Sequence, residues 1–153
     1  MIFIKILLAF AAIFAVFHIV KMGISSNKML SIFTFGMASG VALVLFPFKT
    51  IQITGIGIYS VNVFFTIVYG ITAKDLPTKS RLVICLMAAP IFTYWLWLIN
   101  HWHGNILLLP LIALFAGLIG IVTKTKLKAE SGVLILLTTD AIAIILEYWL
   151  KLP

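Results

Sequence analysis

A single aspartate, Asp140, interrupts the apolar run LLTTDAIAII at 136–145. A carboxylate at the centre of a membrane helix costs about 2.5–3.5 kcal/mol to insert, so it faces other helices or water and meets a partner there. The chemistry open to it is proton carriage. The structural alternative is a hydrogen bond to a Ser, Thr, Asn or Tyr on another helix. Glu147 follows seven residues later, almost two helical turns away on the same face and roughly 10 Å along the axis. Lys151 stands four residues beyond Glu147 in the favourable order, so Glu147 reads first as half of an interfacial ion pair. The stretch YSVN at 59–62 places Tyr59, Ser60 and Asn62 near the middle of another apolar run. Asn62 is the natural partner for Asp140. With Thr139, these residues form the polar pathway the sequence offers: Asp140, Asn62, Tyr59, Ser60, Thr139 and Glu147.

Other chemistries are poorly supplied. His101 and His103, in NHWHGN, are the only close pair of metal-ligand types, and a zinc site wants three or four ligands. They read as an interfacial turn, His18 reads as structural, and no cofactor is expected. Cys85 is the only cysteine, which excludes an intramolecular disulfide. No phosphate-binding Gly-rich loop, GxSxG elbow or HExxH helix appears. The four acidic residues are too few for carboxylate clusters that hold metals around a lipid diphosphate, and Asp75 and Glu130 belong to the inner loops beside lysines. An enzyme is not expected.

The elements that must position Asp140 follow from composition. Of 153 residues, 63% are hydrophobic and 10% charged, against about 25% charged in a soluble domain. Mean hydropathy is +1.24. Such a chain cannot cover a surface in water, and its solvent is the bilayer. The net charge of +7 is scattered between apolar runs, which suits lipid headgroups and excludes a nucleic-acid face. Crossing about 30 Å of hydrocarbon takes roughly 20 helical residues. Cutting at charged and turn-forming clusters gives six runs, at 2–20, 29–48, 51–72, 82–100, 105–123 and 132–150. The expectation is an all-α, polytopic transmembrane helical bundle of six spans in one domain, 1–153. Only Pro47, Lys49 and Thr50 separate the second and third runs, so five spans is the alternative.

Orientation follows from basic residues. With both termini outside (N-out/C-out), Lys21, Lys28, Lys74, Lys79, Arg81, Lys124, Lys126 and Lys128 lie inside, eight of the eleven. Trp95, Trp97, Trp102 and Trp149 then gather at the outer interface, where amphipathic rings belong. A weak 3+3 inverted repeat is also expected, on FAAIF at 10–14 against MAAPIF at 87–92. Gly36 and Gly40 make a GxxxG that offers a surface for oligomerisation. Gly55 and Gly57 offer loosening of the third run, and Pro90 a kink in the fourth.

Three function classes fit. The first is a small membrane transporter or channel, proton-linked through Asp140. The second is an accessory, immunity or assembly subunit that binds another membrane protein. The third, weakened by short loops, is a lipid-directed membrane enzyme. The expected partners are membrane lipids and either further copies of the chain or a larger membrane complex, with no nucleic acid. The expected location is a bacterial inner (plasma) membrane.

Overall fold

The computed structural model describes residues 2–22, 27–100, 104, 106–122 and 130–150. Among these the chain is all-α, with α1 (Ile2–Met22), α2 (Lys28–Val44), α3 (Lys49–Thr72), α4 (Thr78–Ile99), α5 (Leu108–Val122) and α6 (Ser131–Leu150). Backbone groups in lipid must be satisfied within their own segment, which a helix does and an isolated strand does not. Four helices, α1, α3, α4 and α6, are long and apolar enough to cross a membrane, at 20–24 residues each. They mark an integral membrane protein.

The other two helices stop short of expectation. α2 has 17 residues and α5 has 15, about 25 and 22 Å at ~1.5 Å per residue. Pro47 explains the first. Proline disfavours helix at the residue before it and lacks an N–H of its own. The Leu45 and Phe46 N–H groups turn tightly onto Ala42 and Leu43 carbonyls, and α2 ends. Two helices therefore flank Pro47, not one. At α5 the helix begins only at Leu108, and Pro110 occupies its first turn, where its missing N–H costs nothing. The start of α2 is fixed by Asn27, whose side chain accepts from the Leu30 N–H at 3.2 Å.

Neighbouring helices pack in a closed ring, α1 on α2, α2 on α3, α3 on α4, α4 on α5, α5 on α6 and α6 on α1. α6 also reaches across to α2 and α4, so it touches every helix but α3. The α2–α3 contact is antiparallel and close. Gly36 lies against the Asn62 side chain, and a Cβ at Gly40 would fall 2.8 Å from the Gly55 carbonyl oxygen. Gly55 is equally constrained, with a Cβ there 2.7 Å from the Gly40 oxygen. The small residues read as an oligomer surface and as a loosening point thus hold two helices of one chain together. α3 runs unbroken through Gly55 and Gly57, and α4 runs unbroken through Pro90, which leaves one carbonyl of the preceding turn without its helical donor.

Candidate functional site

Asp140 is the tenth residue of α6 and lies on its buried face with Val133, Leu136, Leu137 and Ile144. This is the helix at the hub of the bundle, and the carboxylate is only 5% exposed. Its partner is an indole. Trp95 Nε1 donates to Asp140 Oδ2 at 3.0 Å, the only hydrogen bond to this carboxylate among the described residues. A carboxylate can accept about four, and the Tyr59 hydroxyl and a small cavity adjoin this one.

Trp95 belongs to the site, a role that the sequence reading did not give it. The signal was there. Ser80, Ile84, Met87 and Ile91 form the buried stripe of α4, and Trp95 continues it four residues beyond Ile91. Trp149, by contrast, is 68% exposed as the belt reading expects.

Tyr59 completes the centre. It is 4% exposed, and its Oη lies beside Asp140 yet makes no hydrogen bond of acceptable geometry. Its ring meets Trp95 edge to face, with centroids 6.5 Å apart and planes at 68°. Tyr94 packs on the other side of Trp95, at 5.6 Å and 83°. The backbones of α3 and α6 do not come into contact, and beside the meeting of Tyr59 and Asp140 a gap remains. It is a cavity of about 50 Å³ lined by Leu8 of α1, Val41 and Val44 of α2, Ile56 and Tyr59 of α3, Trp95 of α4 and Asp140 of α6. About 10–15 Å³ of such space accommodates one water. The cavity lies toward the end of the bundle where α2 stops, since Val44 is that helix's last residue.

The remaining polar residues are not gathered here. Asn62 faces α2 at Gly36 and donates to its own Ile58 carbonyl at 2.8 Å, so it does not meet Asp140. Thr139 returns its hydroxyl to the Ile135 carbonyl at 2.8 Å. Thr66 and Thr138 do likewise, to Asn62 and Leu134. A hydroxyl in lipid finds the carbonyl one turn back before it finds a neighbouring helix. Ser60 is buried with an unpartnered Oγ, outside the cavity lining. Glu147 is half-buried, and its pairing with Lys151 falls outside the described residues. His101 and His103 lie outside them too. No group of three metal-ligating residues occurs among the described residues.

A second polar centre, which sequence reasoning missed, lies at the opposite end. Tyr69 Oη donates to Asp75 Oδ2 at 2.7 Å and accepts from Asn27 Nδ2 at 2.8 Å, joining the start of α2 to the end of α3. Arg81 donates to the Gly70 carbonyl at 3.0 Å and to that of Ile71, capping α3 from α4. Glu130, just ahead of α6, is 1% exposed. Its Oε2 has no hydrogen bond, and neither has the hydroxyl of Ser80, also buried. Burial pushes the Glu130 carboxyl above its ordinary value. Ser131 and His18 Nδ1 lie 2.9 Å apart and tie α6 to α1.

No family profile, curated protein or solved structure matches the chain.

Proposed function

We propose that the chain is a small membrane transporter of six spans with both termini outside, in which Asp140 is the group that takes up and releases protons. The observation that carries this reading is the cavity before Asp140. A buried carboxylate kept only for packing would have its oxygens filled by neighbouring donors, whereas this one has a single indole bond and open space beside it. The lengths of α2 and α5 add support. Each half of the chain runs long, short, long, and short segments at matching positions mark the binding region of inverted-repeat transporters. The excess of lysine and arginine in the α2, α4 and α6 approaches supports the orientation, which puts the cavity in the outer half.

The test is proton flux into liposomes holding the purified protein, with wild type against Asp140→Asn. The reading expects at least a tenfold loss with the helical content unchanged. Equal flux in both would remove Asp140 from the mechanism. Orientation is tested separately in a Cys85→Ala background. Thr50→Cys should react with a membrane-impermeant maleimide applied from outside and Thr78→Cys should not, both positions being exposed.

One observation favours a second reading, an accessory subunit of another membrane protein. The self-satisfied Asn62, Thr66, Thr138 and Thr139 leave no continuous polar lining through the bundle. Wild-type liposomes without flux, together with co-purification of one defined membrane partner, would establish it.

A further inference from the structure

We propose that the cavity before Asp140 is a recognition site for a small organic monocation of the alkylammonium class. This names the substrate class of the transport reading and rests on it. Each wall removes alternatives. The carboxylate repels anions. Leu8, Val41, Val44 and Ile56 offer no donor or acceptor side chain, so a neutral polyhydroxy ligand would go unbonded. Inorganic cations fail for a related reason. Calcium wants six to eight oxygens and magnesium a full octahedron, and the lining supplies one carboxylate and one phenol.

An ammonium bearing small alkyl groups meets every surface at once. Its charge faces Asp140, whose Oδ2 is steered by the Trp95 N–H and which the cavity adjoins. Its alkyl carbons lie against the four aliphatic side chains. Two aromatic rings, Tyr59 and Trp95, line the cavity with their planes at 68°, and rings of this kind attract quaternary ammonium groups. The Tyr59 hydroxyl is buried beside the carboxylate, so Tyr59 meets the ligand through its ring. The volume of about 50 Å³ sets the scale, on the order of four waters and therefore a compact head.

The experiment is titration of the purified full-length protein in detergent with tetramethylammonium chloride, read by intrinsic tryptophan fluorescence, with potassium chloride at equal ionic strength as the control. Saturable quenching by tetramethylammonium and none by potassium is expected. Asp140→Asn, which keeps all four tryptophans, should weaken it at least tenfold. Tyr59→Leu should weaken it about five- to tenfold and Tyr59→Phe less than threefold, since the ring and not the hydroxyl carries the attraction. Circular dichroism confirms that each variant is folded. Failure to saturate in folded wild type, or equal affinity in folded Asp140→Asn, overturns the proposal. Proton flux separates it from the transport reading. Flux that depends on Asp140 without tetramethylammonium binding leaves transport standing and removes this site, while binding without flux does the reverse.

Discussion

Two acids ten positions apart, Asp140 within α6 and Glu130 at its threshold, are both almost completely buried, yet their surroundings differ. Asp140 has an indole donor, a tyrosine beside it and a cavity against it. Glu130 has an oxygen without a partner and a neighbouring serine equally unsatisfied. An unpaired buried acceptor costs about 1–3 kcal/mol, and among the described residues only its own backbone and the Ser80 side chain stand near enough to offset it. The difference separates a carboxylate whose surroundings are arranged around it from one that the packing merely tolerates. Burial alone does not identify a functional acid. Directed donors and space for a ligand do.

Four substitutions would break or sharpen this contrast, measured as unfolding free energy in micelles. The largest effect belongs to Gly55→Leu. Its side chain would run into the Gly40 backbone and part α2 from α3, two of the cavity's walls. The expected loss is about 3 kcal/mol, with the Glu130 region untouched. Trp95→Phe comes next, at about 2 kcal/mol, because it strips Asp140 of its donor and leaves a buried carboxylate oxygen unsatisfied. If that variant is as stable as wild type, the indole bond is incidental and the two acids are alike. Asn27→Ala should cost about 1 kcal/mol through loss of the α2 cap and of the bond to Tyr69.

The smallest effect has the opposite sign. Glu130→Gln should stabilise the protein by about 1 kcal/mol at neutral pH. An acid raised by burial holds more protons folded than unfolded between its ordinary value and its raised one. Wild type therefore gains stability as pH falls through that window and loses it as pH rises, and Glu130→Gln should be flat there. A destabilised Glu130→Gln at neutral pH would mean that Glu130 has an ionic partner after all, and the contrast would collapse.

The fold was largely legible because lipid imposes one rule. Every run long enough to cross became a helix, and Asp140 announced itself by being the wrong residue for its depth. What failed to read through was side-chain direction. Asn62 and Tyr59 are three positions apart, so both were placed near the partner helix. The choice between them rests on α2, whose Gly36 makes room for Asn62 and leaves the inward position to Tyr59. Trp95 was assigned by residue type to an interface, and its spacing from Ile91, which turns it toward Asp140, was not used. Glu130 was placed in an inner loop beside lysines, and a linear sequence does not reveal that it is buried near Ser80. The C-terminal end of α2 was misjudged by four residues because hydropathy continues through Leu45 and Phe46 while backbone geometry, set by Pro47, does not.

The position of Asp140 halfway along α6 carries an electrical consequence. In a spanning bundle, a charge carried across the whole membrane exchanges about 2.3 kcal/mol per 100 mV. A proton that reaches the midpoint senses about half of that, ~1.1 kcal/mol, or roughly a sixfold change in occupancy per 100 mV. With the proposed orientation, a cation entering from the end where α2 stops short would be drawn toward the carboxylate by an inside-negative voltage. Occupancy of the site would then track the energised state of the cell as well as the concentration outside.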